Sequence, residues 1–236
     1  MRLHEPRQSA PLHPSPVLWQ VDDRLWQVAS GVFTSNSYIS CHGDTDNCVL
    51  IDPGLDPAGI DAQLALLGKT PQAVLCTHGH FDHVGGAAYF QEKYKIPVYL
   101  PKGDLKTMQS SNFLLMAVKI AMRIELPDVT QLPVEGASIA VGGETYIYQP
   151  LPGHTPGSCL VRTGQHVFSG DSLYARGVGL SHLPGENREL LRAGIRMLWD
   201  SLPADVLVCP GHGSVARFDD ICRENRALLD FLQAND

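Results

Sequence analysis

The stretch AVLCTHGHFDH, Ala73 to His83, decides how this chain is read: a short apolar run is followed at once by His78, His80, Asp82 and His83. Ala73 to Cys76 has the pattern of a buried strand and ends at Thr77, so the polar residues fall in a loop at a strand's carboxyl end. Such a loop aims several side chains at one point while the sheet fixes its base. Gly79 separates the first two histidines, and Asp82 and His83 follow a step later, offering imidazoles and a carboxylate together. Solvated loop histidines are the alternative reading. Against it, crowded imidazoles repel one another when protonated and favour a metal when neutral.

Three shorter motifs repeat the theme further along: PGHTPGS around His154, FSGDS around Asp171 and CPGHG around His212. Each sets its His or Asp beside glycine, next to an apolar strand pattern, as a tight loop at a sheet edge would. Singly these motifs are weak, since Gly-His in a turn commonly has no role and an Asp after Gly can merely cap the turn. Together with the first loop they supply enough donors for two metal sites. Imidazole suits zinc and iron, and a carboxylate can bridge two cations and offset their repulsion.

Around these motifs the patterning predicts an ordered series of elements. Short strands are expected at Leu25 to Gly31, Ser37 to Cys41 and Asn47 to Ile51, a helix at Asp56 to Leu67, a helix at Gly85 to Tyr94 and a strand at Val98 to Leu100. Strands follow at Tyr146 to Tyr148, Ser158 to Arg162 and His166 to Ser169. Then come a helix at Asn187 to Leu202, a strand at Val206 to Cys209 and a single closing helix at Arg217 to Gln233. Strand-rich halves that each end in helices imply an α+β fold, two mixed sheets face to face with helices outside: a four-layer αββα sandwich. Residues 21–236 are expected to form one domain behind a proline-rich leader at 1–20. An apolar insertion at about 104–127 carries the run Phe113 to Ile124. If that run is helical, Phe113, Met116, Ile120 and Ile124 share a stripe, and the segment is a core helix, a substrate lid or a homodimer contact.

Composition narrows the function classes. A net charge of -7 without a Lys/Arg cluster speaks against nucleic acid as a partner. No apolar run is long enough for a membrane span, and Met1 to Gln20 lacks the apolar core of a secretory signal, so a cytoplasmic protein is expected. The 6 cysteines form no C-x-x-C pair, and most are expected as reduced core residues.

The sequence THGHFDHVGG followed in order by PGHTPGS, FSGDS and PGHG resembles the metallo-β-lactamase superfamily, in particular its glyoxalase II-like branch. The resemblance implies the metallo-β-lactamase fold and two divalent metal ions, zinc first, with iron or manganese as alternatives. It implies that His78, His80 and His154 hold one metal, that Asp82, His83 and His212 hold the other, and that Asp171 bridges them. Asp52, in IDPG, matches a position that supports the metal loop. Asp82 and Asp171 are the expected catalytic carboxylates. The implied reaction is hydrolysis of a thioester or related acyl ester by a metal-bridged hydroxide, because two nearby cations acidify a shared water. A lactonase, a phosphodiesterase or a mononuclear-iron persulfide dioxygenase is the alternative, and an intact ligand set speaks against a non-enzymatic binding protein.

Departures from the branch concern the substrate. Relatives acting on glutathione thioesters carry basic residues after the bridging Asp and a C-terminal helical extension. Here the loop LYARGVGLSHLPGEN has Leu180 where a basic residue is common, and the chain ends at Asp236. Tyr174, Arg176 and His182 are the polar candidates for binding a small-molecule substrate.

Overall fold

The computed structural model describes residues 15–43 and 45–234. The chain opens with β1 (Val17–Gln20), β2 (Leu25–Ser30), β3 (Ser35–Cys41) and β4 (Asn47–Ile51), then α1 (Pro57–Leu67) and β5 (Thr70–Leu75). Next come α2 (Phe81–Val84), α3 (Ala87–Tyr94), β6 (Val98–Pro101), a 3-10 turn at Lys102–Asp104, α4 (Leu105–Gln109), α5 (Ser111–Ala117) and β7 (Val129–Leu132). The second half runs β8 (Ala137–Val141), β9 (Glu144–Pro150), β10 (Cys159–Thr163), β11 (His166–Gly170), α6 (Arg188–Trp199), β12 (Leu207–Pro210), β13 (Ala216–Arg217), α7 (Phe218–Glu224) and α8 (Arg226–Gln233).

β1 to β7 form one sheet in sequence order, antiparallel from β1 to β4 and parallel from β4 to β7. The other sheet has the order β13-β12-β11-β10-β9-β8, with β11 and β12 as its parallel pair. Side chains alternate across a strand, and here the alternation assigns each residue to a layer. Tyr38, Val49, Ile51 and Leu75 point between the sheets, where they meet Tyr146, Tyr148, Val161 and Phe168. Ile39, Leu50 and Val74 turn outward onto Ile60 and Leu64 of α1 and Phe90 of α3. Leu160, Val167 and Val208 turn outward on the opposite side, onto α6, α7 and α8. The expected αββα sandwich of two mixed sheets is therefore present, and its three apolar layers hold it together. Cys41, Cys48, Cys76, Cys159 and Cys209 are free and buried, and Cys222 is free and half-buried.

Several expectations need correction. The leader was expected to reach Gln20, but Val17–Gln20 is β1, because it pairs antiparallel with β2 from Val17↔Ala29 to Gln20↔Trp26; Met1 to Pro14 lie outside the described residues. The closing helix is two helices, broken at Asn225, whose side chain caps α8 by accepting from Leu228 N–H at 3.2 Å. The run Phe113 to Ile124 is not one helix. α5 ends at Ala117, with Lys119 in the left-handed region at φ 61°, the Lys119 N–H donating to Met116 C=O and the Ile120 N–H to Leu115 C=O. That 6→1 and 5→2 pair is a Schellman termination. The stripe of Phe113, Met116, Ile120 and Ile124 is consequently split: Phe113 and Met116 are 63% and 66% exposed, while Ile124 packs with Leu114 and Leu115 on Phe81 and Leu55, and Ile120 packs against the same cluster. Among the described residues, no helix is long and apolar enough to cross a membrane.

Candidate metal centre

The loops that carry the sequence motifs leave the sheets at one edge of the sandwich. β4 ends at Ile51 and delivers Asp52, β5 leads into Thr77 to His83, β11 delivers Asp171 and β12 delivers His212, while His154 sits in the turn before β10. Asp52 fixes the first loop. One oxygen accepts from the Thr77 N–H at 2.7 Å, and the other accepts from the Thr77 hydroxyl at 2.7 Å and faces His83 Nδ1 at 3.1 Å. The helical turn α2 then sets Asp82 and His83 side by side, with Ser35 Oγ donating to the Asp82 carbonyl at 2.7 Å. Glycine beside the last ligands is a matter of space: a Cβ on Gly211 would lie 2.1 Å from Asp171 Oδ1, and one on Gly170 would lie 2.3 Å from Thr77 Oγ1.

Two groups result whose possible ligand atoms lie within 4.8 Å of one another: His78, His80 and His154, and Asp82, His83, Asp171 and His212. All seven expected ligands are thus brought together. Asp171 reaches into both groups, 3.5 Å from His154 Nε2 and 3.4 Å from both His83 Nε2 and His212 Nε2. Asp82 lies 3.1 Å from His212 Nε2 and 3.4 Å from His83 Nε2. A third grouping, Asp52 with His78 and His83, is weaker as a site because the Asp52 oxygens are already occupied by Thr77.

Hydrogen bonding fixes which ring nitrogen each imidazole presents. The Nδ1 atoms of His154, His212 and His83 face the Gly179 carbonyl at 2.9 Å, the Thr34 carbonyl at 2.8 Å and the Asp52 carboxylate at 3.1 Å. These partners only accept, so each Nδ1 carries a proton, and the nitrogen left to present a lone pair to a cation is Nε2, which faces inward. The Thr77 hydroxyl already donates to Asp52, so His78 Nδ1 donates to it at 3.0 Å and His78 joins the set. His80 turns Nδ1 toward His154 Nε2 at 3.0 Å. Buried His78 Nε2, His80 Nε2, His83 Nε2 and Asp171 Oδ1 have no hydrogen-bond partner. Leaving such atoms unmatched is costly, and a ligating imidazole characteristically donates its other N–H to a fixed acceptor. The donor set therefore fits divalent cations.

The charges agree with that fit. Burial, reinforced by the neighbouring imidazoles, drives His78 far below the usual histidine range and His80 down to about 4, so both rings stay neutral. Burial also opposes the charged form of His83 and His212, but Asp82 and Asp171 outweigh it, raising His83 well above its ordinary value and His212 to about 10. The two carboxylates therefore demand positive charge between themselves.

A cavity of about 610 Å³ opens above the cluster, with His80, Asp82, His154, Asp171 and His212 at its floor. Tyr174 lines it, as expected of a substrate residue, and its ring stands edge-on to His212 with centroids 6.2 Å apart. Arg176 and His182 do not line it, and this corrects their expected place. Arg176 is 81% exposed and 3.8 Å from Glu224, and His182 is an exposed loop residue at φ 58° whose N–H donates to Glu186 at 2.8 Å. Asn225 links this loop to the helices, donating to the carbonyls of Tyr174 at 3.1 Å and Gly177 at 2.9 Å. Residues that sequence reasoning missed include Val32, Phe33 and Thr34 in the β2–β3 turn, Ser181, and Val118 at the end of α5, all on the cavity wall. Asp104 was missed as well. Buried beneath the site, it joins the His78–His80 loop to the His154 loop by accepting from Gly79 N–H at 2.6 Å and from Thr155 Oγ1 and Gly157 N–H at 2.7 Å each.

A sandwich of this layering with His and Asp clustered at one edge defines a class of metal-dependent enzymes, and comparison with known proteins agrees. The family model of the metallo-beta-lactamase superfamily matches residues 30–212, and the chain belongs to that superfamily. It is 31% identical over 185 residues to a probable metallo-hydrolase, YqgX, of Bacillus subtilis, covering 78% of this chain and 87% of that one. It is 32% identical over 167 residues to a hydroxyacylglutathione hydrolase of Yersinia pestis, covering 70% of this chain and 57% of the relative. Among solved structures, TTHA1623 in a di-iron-bound form superposes with a TM-score of 0.76 at 34% identity, covering 85% of this chain and 98% of that one.

Proposed function

We propose that this chain is a binuclear metal hydrolase that cleaves thioesters or related acyl esters. The observation that carries the reading is the convergence of five imidazoles, four of them (His78, His83, His154 and His212) with the outward nitrogen held by a fixed partner, on Asp82 and Asp171 beneath a cavity open to a small molecule. His78, His80 and His154 would hold one cation, Asp82, His83 and His212 the second, with Asp171 between them. Bound there, divalent cations supply a water acidified toward neutrality and polarise a carbonyl. The remaining tasks fall to the chain. Asp52, Gly179 and Thr34 keep the His83, His154 and His212 rings oriented. Tyr174 keeps its phenolic proton, since burial and the Asp171 charge raise it far above its ordinary range, and it serves as a donor to a substrate oxygen. Asp82 is the carboxylate assigned to pass a proton to the departing group. Overall, water oxygen joins the acyl carbon, the C–S or C–O bond breaks, and thiol or alcohol leaves with the proton.

The hydroxyacylglutathione hydrolase and metallo-hydrolase relatives support this choice of reaction, and the di-iron form of TTHA1623 sets iron beside zinc as the metal. The net charge of -7 favours a small-molecule substrate over nucleic acid. The test is metal analysis of protein purified without added metal, joined to a panel of thioesters, lactones and phosphodiesters. Two metals per chain with ester turnover supports the proposal. A single iron with oxygen uptake on a persulfide would replace hydrolysis by oxygenation.

A further inference from the structure

The cavity above the candidate metal centre has a polar floor and an apolar wall. Val32, Phe33, Phe81, Val118, Leu180 and Leu183 form that wall, and among the described residues no Lys or Arg lines the cavity. These six come from separate parts of the chain: the β2–β3 turn, the metal loop, the end of α5 and the loop after Asp171. Val32 and Phe33 are each 43% exposed and Val118 is 38% exposed, so apolar surface stands in water beside the reactive floor. Such surface gains free energy when an apolar group covers it.

The wall is also firmly supported. Phe33 packs edge-on against Phe81, centroids 5.6 Å apart, and against the His212 ring at 5.8 Å. Phe81 belongs to the small cluster of Leu55, Leu114, Leu115 and Ile124, on which Leu183 rests. Val118 is the last residue before the left-handed Lys119, and its N–H donates to Leu114 C=O at 2.9 Å. The insertion that interrupts the first sheet therefore supplies part of the wall through the turn that ends α5. A preformed wall of this kind binds without first having to be ordered.

We propose that the site selects esters and thioesters of uncharged, apolar acyl groups, the chain lying along Phe81, Val118 and Leu183 with its carbonyl over the metal residues. This rests on the hydrolase reading above. The reaction is unchanged: water oxygen joins the acyl carbon, the bond to sulfur or oxygen breaks, and the acyl group departs as a carboxylate.

The test uses metal-loaded protein and neutral thioesters of N-acetylcysteamine with acyl chains from acetyl to octanoyl. Binding of the matching ketones, in which a methylene replaces the sulfur, is measured in parallel. We expect kcat/KM to rise about fourfold for each methylene that leaves water, equivalent to ~0.8 kcal/mol, until the wall ends. Val118→Asp and Leu183→Asp should each lower the octanoyl-to-acetyl ratio by about tenfold or more, in turnover and in ketone binding alike. Turnover with a flat chain-length profile, or a ratio unmoved in Val118→Asp protein that keeps its metals, would overturn the proposal. Ketones that bind more tightly with length while no ester is hydrolysed would support the apolar site and refute the hydrolase reading, so the two failures are distinguishable.

Discussion

Replacing Asp104 by Ala should loosen the metal centre without touching any of its candidate ligands. Gly79 lies between His78 and His80, and Thr155 and Gly157 follow His154, so one buried carboxylate ties together both loops that carry the first histidine group. Truncation removes every acceptor at once. Thr155 keeps Ser158 Oγ at 2.6 Å, but the Gly79 and Gly157 amides are left without the partner they had. At about 1–3 kcal/mol for an orphaned buried donor, the Gly79 amide sets the loss of stability at about 1–3 kcal/mol, with a smaller addition from the part-buried Gly157 amide, which water can reach. Burial itself raises the Asp104 carboxyl above its ordinary value, and the three donors return only part of that cost. The stabilisation therefore lies in matching the donors rather than in the charge, and Asp104→Asn, which keeps one acceptor oxygen, should recover part of it. Metal affinity should fall as well, because groups that orient ligands typically change it by about 10–100-fold. Urea unfolding of the metal-loaded protein and competition with a chelator measure the two effects separately. An Asp104→Ala protein that unfolds within about 0.5 kcal/mol of wild type and holds its metals against the same chelator concentration would refute this reasoning.

Asp171→Ala should lower metal content and activity more than Asp52→Ala, because Asp171 approaches both histidine groups whereas Asp52 acts through Thr77 and His83. Equal losses would contradict a bridging role. Leu180→Arg places a cation on the cavity wall and should raise turnover of a glutathione thioester relative to a neutral one by about tenfold, the worth of one charge-assisted hydrogen bond; an unchanged ratio puts selectivity elsewhere. For Asp61, burial disfavours the ionised carboxyl, but Lys93, Tyr94 and Tyr89 outweigh it and hold it below its ordinary value. A depressed carboxylate contributes stability that is present above its unfolded pKa and lost as pH falls through the folded one. Asp61→Asn should therefore cost about 1 kcal/mol at pH 7, and chemical denaturation should show that gap closing in acid below the ordinary carboxylate range.

The strands and the metal loops could be read from the sequence because their signals are local. β4 was expected at Asn47 to Ile51 and lies there, since an apolar run between turn residues needs no distant information. The β7 and β8 strands were missed: Val129–Leu132 and Ala137–Val141 bury few of their residues, so the two-residue period is faint. The break at Asn225 was missed for the opposite reason. Apolar periodicity continues through both α7 and α8, and only the Asn side chain, which caps one helix and holds the loop at Tyr174 and Gly177, interrupts it.

The site divides along the same line. Each proposed ligand stands in a short Gly-containing motif, and the spacing within THGHFDH alone signals shared chemistry. The groups that orient the ligands meet them across long separations: Asp104 reaches Thr155 over 51 positions, and His212 reaches the Thr34 carbonyl over 178. A backbone carbonyl has no residue signature at all, so no reading of side-chain types could have found Thr34 or Gly179. The apolar wall hid for a related reason. Val118 looks like one more core residue of a helix until the left-handed Lys119 ends that helix and leaves the valine at the cavity. Metal chemistry is therefore written in contiguous motifs, whereas substrate choice depends on where distant turns happen to stop. This is why relatives that share the motifs need not share the substrate, and why chain-length selectivity should follow Val118 rather than any of the histidines.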